Sequence, residues 1–263
     1  MPVRTVAVNG GQFQTEVIEE GSGAPLLYLH GVQGVQDAEP FLTRLGRQRR
    51  VIAPRHPGFG ESTGSEHLQD IHDLIYYYLD FLDATGLRDL PIAGHSLGGM
   101  IAAELAAVQP ERFSHLVLIA PFGLWNPDHP VADFFSMTPR ELAQATYHDP
   151  GSPAAQAAAQ APEEHEAYVN FMLDRAKSLA TTAKYIWPIP NKGLSKRLHR
   201  ISVPTLLVWG ASDRIVPPQY VDDFKAGIRN AKAEIIQHAG HLPQAEQPER
   251  LAEVVLDFVA AKR

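Results

Sequence analysis

A glycine-rich segment at 94–98, of sequence GHSLG, constrains the fold of this chain more than any other stretch. It follows an apolar run at 90–93 and opens an alanine-rich helical pattern at 97–108. A serine between two glycines in such a strand–turn–helix context is typical of an exposed nucleophile at the carboxyl edge of a sheet. A hydroxyl is a weak nucleophile, so Ser96 would need a base within hydrogen-bond reach. Taken alone, the segment also fits a glycine-rich turn with a capping serine.

Uninterrupted apolar runs recur along the chain and are typical of strands buried on both faces of a sheet. Helical patterns alternate with these runs, and such alternation predicts a mostly parallel sheet covered by helices on both sides. The fold class is therefore α/β. A hairpin turn should join the first two strands. Eight strands are expected, at 3–8, 13–18, 25–29, 50–54, 90–93, 116–120, 204–210 and 234–236.

The alternation of strands and helices stops between residues 122 and 203. Helices are expected before and after this interval at 38–45, 68–82, 97–108, 218–228 and 249–260. The interval itself carries many prolines and aromatic residues, and it is too long for a loop in a compact domain. We therefore expect a core formed by 1–121 and 204–263, interrupted by a helical insertion at 122–203 that lies over the sheet edge.

Composition excludes several classes of protein. The chain has 263 residues, of which 44% are hydrophobic and 20% charged, and its net charge is −7. This acidic balance, without long runs of Lys or Arg, argues against a nucleic-acid partner. The absence of cysteine rules out disulfides and a cysteine nucleophile. The amino terminus has no apolar leader segment and no stretch is apolar enough to span a membrane, so we expect a cytoplasmic protein without a membrane partner.

Two further polar residues follow predicted strands at the same sheet edge as Ser96. Asp213 comes directly after the strand at 204–210, and His241 lies in the loop after the last strand. Ligands bind at this edge in open parallel sheets. The order Ser, Asp, His along the chain is the order of one known hydrolytic triad. Asp213 alone could equally be a turn residue, and His238 competes with His241 as the base.

Five segments occur in the order typical of one enzyme family, and on them the chain resembles the α/β-hydrolases over nearly its whole length. The chain departs from the family pattern at the residue before His56, where it has Arg55 and relatives often have Asp. The matching segments are His30-Gly31, Pro57-Gly58-Phe59-Gly60-Glu61-Ser62, Gly94-His95-Ser96-Leu97-Gly98-Gly99, Trp209-Gly210-Ala211-Ser212-Asp213 and Gly240-His241.

The chemistry of a triad gives each of these residues a role. His241 takes the proton of the Ser96 hydroxyl and returns it to the leaving group, while Asp213 holds the imidazole in the required tautomer. A tetrahedral oxyanion needs two preorganised donors. The resemblance implies that these donors are the main-chain N–H groups of Val32 and Leu97. No metal motif occurs, so neither a metal nor a cofactor is expected.

The resemblance also implies that the insertion at 122–203 is a cap over the active site. Some of its aromatic side chains should line an apolar pocket, the usual composition of a site for small molecules. The candidate substrate-binding residues, from the insertion and from the loops around Ser96, are His30, Trp125, Phe135, Trp187 and Leu242. His30 is expected to shape the oxyanion loop by hydrogen bonding, and His95 to pack beside the nucleophile.

Three functions are compatible with these features. The first hypothesis is a serine hydrolase that acts on small to medium apolar carboxylic esters. The second is a C–C bond hydrolase of the meta-cleavage type; such relatives usually have an aromatic residue after the catalytic histidine and an arginine in the cap. Here Leu242 follows His241, which counts against it, and Arg175 could be the cap arginine. The third is a non-catalytic ligand receptor on the same scaffold. The substrate and the oligomeric state stay open.

Overall fold

The computed structural model describes residues 1–189 and 191–261. It contains an eight-stranded sheet in the spatial order β1-β2-β4-β3-β5-β6-β7-β8. The strands are β1 Val3–Val8, β2 Phe13–Glu20, β3 Pro25–Leu29, β4 Arg50–Pro54, β5 Leu90–His95, β6 Phe113–Ile119, β7 Thr205–Gly210 and β8 Ala231–Ile236.

Strand β2 pairs antiparallel with both of its neighbours, while all pairs from β4 to β8 are parallel. This confirms the predicted α/β class with a mostly parallel sheet. The carboxyl ends of β3, β5, β6, β7 and β8 therefore lie at one edge, and the residues that follow them meet there.

Helices cover both faces of the sheet. They are α1 Glu39–Leu45, α2 Ile71–Thr85, α3 Leu97–Val108, α4 Pro139–Thr146, α5 Pro153–Ala159, α6 His165–Ile186, α7 Tyr220–Gly227, α8 Pro243–Glu246 and α9 Pro248–Ala260. Alternate residues of the central strands enter two separate cores, because successive strand side chains point to opposite faces. Leu27 and Leu29 pack with α2, α3 and α7, whereas Leu26 and Tyr28 pack with α1 and α9.

Several boundaries differ from the sequence predictions. The helix expected at 68–82 begins at Ile71 instead, because Asp70 caps it by accepting hydrogen bonds from the N–H groups of His72 and Asp73. It continues to Thr85, where Gly86 ends it in the left-handed conformation at φ 66°. The last strand begins at Ala231, earlier than expected, since its outer residues are exposed and show no apolar run.

Helices α4, α5 and α6 lie within 122–203, and the described residues of this segment form no strand of the sheet. Below, this stretch is called the inserted segment. Helix α4 begins with a capping box between Thr138 and Glu141. Helix α6 rests on the core through its carboxyl-terminal half, where Thr181, Thr182 and Tyr185 are buried. Among the described helices, none is long and apolar enough to cross a membrane.

Candidate active site

Ser96 occupies a strained turn between β5 and α3. Its backbone has φ 55° and ψ −115°, a conformation that is costly for a residue with a Cβ and is found mainly at functional sites. The turn is possible because the neighbouring glycines let the chain pass closely. A Cβ on Gly94 would lie 2.2 Å from the carbonyl oxygen of Gly98, and one on Gly98 would lie 2.1 Å from that of Leu29.

The structure brings Ser96, His241 and Asp213 into one hydrogen-bonded row. Nε2 of His241 lies 3.0 Å from the Ser96 hydroxyl oxygen, and Nδ1 lies 2.8 Å from Oδ2 of Asp213. The other carboxylate oxygen of Asp213 accepts hydrogen bonds from the N–H groups of Ile215 and Val216, at 2.8 and 2.9 Å. All three side chains of the row are buried, and the Ser96 residue is only 2% exposed. This geometry suits a nucleophile, a general base and a group that orients the base.

The loop after β3 lies against Ser96. A Cβ on Gly31 would be 3.1 Å from the Cβ of Ser96, so the residue that precedes Val32 packs against the nucleophile. Leu97 is the first residue of α3, where main-chain N–H groups have no partner within the helix. The main-chain N–H groups of Val32 and Leu97 therefore stay the predicted oxyanion donors.

His30 is fully buried and uses both ring nitrogens to hold this loop. Nδ1 donates to the carbonyl oxygen of Gly31 at 2.7 Å, and Nε2 accepts from the N–H of His56 at 3.0 Å. His56 in turn donates from Nε2 to the carbonyl oxygen of His30 at 2.8 Å and accepts from the Tyr78 hydroxyl. Burial lowers the pKa of both imidazoles, for His56 to about 4. His30 was predicted to bind substrate, but both of its ring nitrogens are engaged in these hydrogen bonds.

The family model of the alpha/beta hydrolase fold matches residues 24–248. The chain belongs to the α/β-hydrolase family. The 2-hydroxy-6-oxo-6-(2'-aminophenyl)hexa-2,4-dienoic acid hydrolase of Metapseudomonas resinovorans is 28% identical, with 97% of this chain and 90% of that protein aligned. Lipase 1 of Psychrobacter immobilis is 27% identical, with 88% of this chain and 75% of that protein aligned. The crystal structure of a membrane phospholipase A shares the fold, with a TM-score of 0.83, 24% identity and coverage of 98% and 86%.

A row of aromatic rings leads from His241 of this α/β-hydrolase into the inserted segment. Phe122 lies 5.8 Å from the His241 ring between centroids, and Phe134 stacks on Phe122 at 5.7 Å. Phe135 stacks on Phe134 at 4.3 Å and contacts Trp187 edge-to-face at 5.5 Å. Two predicted pocket residues, Phe135 and Trp187, thus belong to this row. Trp187 is half-exposed and lies at its outer end.

The other two predicted pocket residues lie elsewhere. Leu242 is buried in a small cluster with Tyr147 and Ala155, and this cluster contains none of the aromatic rings of the row. Trp125 is exposed, and the next residue, Asn126, is bound to the Tyr220 hydroxyl on α7. Among the described residues, no ring contact joins Trp125 to Ser96, His241 or Asp213.

The end of α4 is joined to both loops that carry triad residues. The carbonyl oxygen of Thr146 accepts from the N–H of His241 at 2.6 Å, and that of Ala145 accepts from the N–H of Arg214 at 3.2 Å. The Arg214 guanidinium also donates to the Gln144 carbonyl at 2.6 Å. The sequence offers no signal for these contacts, because the acceptors are main-chain carbonyl groups that every residue has.

His95 also supports His241, a role that the sequence analysis missed. Its Nε2 donates to the carbonyl oxygen of His241 at 2.7 Å, while its Nδ1 accepts from the side-chain amide of Gln244 at 3.2 Å. Burial lowers the pKa of His95 well below its usual value, and nearby His241 lowers it further. The ring is therefore neutral and cannot replace His241 as a proton acceptor toward Ser96, since both nitrogens are engaged.

Proposed function

We propose that this protein is a serine hydrolase that cleaves small to medium apolar carboxylic esters through an acyl-enzyme. The hydrogen-bonded row of Ser96, His241 and Asp213 carries this proposal, because one imidazole reaches both the hydroxyl and the carboxylate. Such a row lets a neutral imidazole accept the serine proton while the carboxylate stabilises the imidazolium that forms.

Each step of the reaction then has a group to perform it. The Ser96 oxygen attacks the ester carbonyl carbon as His241 removes its proton. The main-chain N–H groups of Val32 and Leu97 stabilise the oxyanion of the tetrahedral intermediate. His241 returns the proton to the alcohol that leaves, and it next takes a proton from the water that attacks the acyl group on Ser96. Water thereby releases the carboxylic acid and restores the hydroxyl of Ser96.

The surroundings of the row favour an apolar substrate. The rings of Phe122, Phe134 and Phe135 extend from His241, whereas the nearest basic side chain on the Asp213 loop is engaged elsewhere. That side chain, Arg214, donates to the carbonyl groups of Gln144 and Tyr147. Apolar walls with few polar groups are typical of sites that bind small molecules. In this proposal the inserted segment at 122–203 is a cap domain over the core of 1–121 and 204–263.

A second candidate is a C–C bond hydrolase of the meta-cleavage type. It is favoured by the relative from Metapseudomonas resinovorans, which is named for a dienoic acid substrate. A substrate that keeps a carboxylate needs a cationic partner in a buried site. Arg175, the predicted cap arginine, is exposed on α6, and the residue after His241 is Leu242, which is not aromatic. These two observations place the ester hypothesis first.

The first experiment tests the nucleophile without assuming a substrate. A fluorophosphonate probe should label the wild-type protein at Ser96 and should not label Ser96→Ala. With an ester that the wild type cleaves, Ser96→Ala should lose on the order of 10⁶ in kcat, as in the best-studied serine hydrolase. Ser22→Ala, in an exposed loop, is the matched control and should keep full activity. Labelling without turnover of any substrate would favour the ligand receptor.

The second experiment separates the bond types. Across p-nitrophenyl esters from C2 to C16, kcat/KM should rise by roughly fourfold for each buried methylene and then fall when the pocket is full. A flat profile, or a maximum at C12 or beyond, would contradict an enclosed apolar pocket. Cleavage of a vinylogous 1,5-diketone with no ester hydrolysis at any length would establish the C–C hydrolase instead.

A further inference from the structure

The main chain at His241 is held by polar groups on both sides. Its N–H donates to the Thr146 carbonyl oxygen at 2.6 Å, and its carbonyl oxygen accepts from His95 at 2.7 Å. The N–H of the preceding residue, Gly240, donates to Oε2 of Glu246 at 2.6 Å. The backbone that carries the base is therefore held by hydrogen bonds at three of its main-chain polar groups.

Glu246 joins this backbone to the inserted segment. While Oε2 accepts from Gly240, Oε1 accepts from the N–H of His148 at 2.9 Å, just after the end of α4. The side chain is half-buried, and burial raises the pKa of its carboxyl, although the main-chain donors of Gly240, His148 and Asp149 oppose that rise. One carboxylate thus bridges two segments that are 98 residues apart in sequence.

We infer that Glu246 is a positioning residue for the proposed reaction, in which its carboxylate sets the place of His241 between Ser96 and Asp213 through Gly240. The inference rests on the proposed function. Gly240 transmits the contact because it is packed tightly: a Cβ there would lie 2.2 Å from the carbonyl oxygen of Thr146 and 2.9 Å from the His148 nitrogen. A shift of Gly240 therefore moves the residue beside it.

The bridge requires two acceptor atoms. The two carboxylate oxygens of Glu246 accept from different main-chain N–H groups, Oε2 from that of Gly240 in a part-buried place and Oε1 from that of His148, and Asp149 adds a further main-chain donor. Glutamine has nearly the same shape but only one acceptor, and its amide nitrogen would point a donor at a donor. Glu246→Gln therefore replaces one hydrogen bond by the contact of an amide N–H with a main-chain N–H, and it leaves no cavity.

The expected loss of kcat in Glu246→Gln follows from how little displacement of His241 proton transfer tolerates. His241 must lie within hydrogen-bond reach of both Ser96 and Asp213, and a misplacement of about 1 Å can lower a rate by roughly 10²-fold. We expect kcat of Glu246→Gln to fall by about 10- to 100-fold. KM should stay within about twofold, because the ring row that contacts the substrate in the proposal is unchanged.

The test compares Glu246→Gln with Glu253→Gln in the full-length protein. Glu253 has a side chain that is 61% exposed and pairs with Arg250 on α9, so its variant should behave as wild type. Three measurements are needed: kcat and KM on a p-nitrophenyl ester, the rate of fluorophosphonate labelling of Ser96, and the downfield proton resonance of the hydrogen bond between His241 and Asp213. In Glu246→Gln the labelling rate should fall in step with kcat, and the resonance should broaden or move upfield.

The outcomes separate the inference from the function on which it rests. Wild-type protein that the probe does not label overturns both. Labelled wild type together with a Glu246→Gln variant that matches it in labelling rate, kcat and proton resonance overturns the role of Glu246 alone. If Glu246→Gln fails to fold, Glu246→Asp serves instead: it keeps the charge but is one methylene shorter, so it should reach one donor and lose activity to a smaller extent. Full activity of the folded aspartate variant would then contradict the inference.

Discussion

The two ends of the inserted segment meet the core in different ways. The end of α4 is hydrogen-bonded to the loops of Asp213 and His241 through the main chain at Ala145 and Thr146. Helix α6 instead rests on a face where the hydroxyls of Thr182 and Tyr185 are buried without a hydrogen-bond partner. A buried hydroxyl without a partner weakens an interface. The segment therefore combines α4, whose end is hydrogen-bonded to the triad loops, with α6, whose buried face holds two hydroxyls without a partner.

The exposure of α6 adds to this contrast. Its amino-terminal half shows exposed apolar side chains, among them Tyr168, Met172 and Leu173. Two exposed lysines attach it to the core: Lys177 donates to the Gly60 carbonyl oxygen at 3.2 Å, and Lys184 donates to that of Ser65 at 2.9 Å. These contacts tie α6 to the loop that follows β4, whereas α4 is tied to the triad loops.

In this comparison the largest effect should come from a change in the Asp213 loop, to which the end of α4 is hydrogen-bonded. Asp213→Asn should lower kcat by roughly 10⁴, since the amide favours the wrong imidazole tautomer of His241. Asp174→Asn, on the exposed half of α6, is the matched control and should change kcat by less than about twofold. Steady-state kinetics on one ester measure both variants. Equal losses would mean that the two sides of the inserted segment contribute equally to catalysis.

Acid should destabilise the folded protein through His56, which lies near the loop on which α6 packs. Gly58, which packs against Thr181 of α6, follows closely after His56, whose pKa is lowered by burial to about 4. The unfolded chain binds a proton at this histidine below pH ~6.5, but the folded chain does so only near pH 4. The free energy of unfolding therefore decreases as the pH is lowered through that window. For His56 alone, the free energy of unfolding should decrease by about 2 kcal/mol from pH 7.5 to pH 5.

Urea unfolding at the two pH values measures this loss. His56→Gln should show a dependence on pH that is smaller by about 2 kcal/mol, whereas His72→Asn, at an exposed position of α2, should keep the wild-type dependence. His95, also buried with a lowered pKa, should retain its contribution in both variants. An unchanged pH dependence in His56→Gln would show that this imidazole is not buried in its neutral form.

The smallest effect concerns the hydroxyl groups under α6. Thr182→Val replaces a buried hydroxyl without a partner by a methyl group of similar size, and it should stabilise the protein by about 1 kcal/mol. Thr15→Val should do the opposite, because the Thr15 hydroxyl is buried and bonded to that of Tyr77 at 2.6 Å. Thermal unfolding of the two variants gives the signs. Destabilisation by both would mean that the Thr182 hydroxyl has a partner after all.

The alternating core was predictable from local pattern, whereas the way in which the inserted helices pack on the core was not. Strands such as β3 and β7 are apolar throughout because both faces are covered, and this leaves a clear sequence signal. Helix α6 has apolar residues on buried and exposed sides alike, so its sequence does not tell which side faces the core. The pocket predictions reflect this limit: Phe135 joined the ring row, while Trp125 lies exposed on the surface.

Site residues were predictable where the side chain itself performs chemistry. The structure brings Ser96, Asp213 and His241 together as their order and strand positions indicated. Glu246 escaped notice because its partners are main-chain N–H groups, one of them in a segment 98 residues away. An acidic residue shortly after a loop histidine is a weak signal, since most such residues are solvated. Only the fold shows that this one turns back to Gly240.

The position of the insertion between β6 and β7 has a consequence for how such enzymes diversify. Ser96 and His241 are already 145 residues apart along the chain, and the entropy of closing a loop grows only slowly with its length. Removing the inserted segment would roughly halve that separation, and the free-energy cost of closing the loop would change by only about 0.6 kcal/mol. New covering segments can therefore be exchanged at this point with little entropic penalty. Each would still have to present a carbonyl group to His241 and an N–H group to Glu246, as Thr146 and His148 do here.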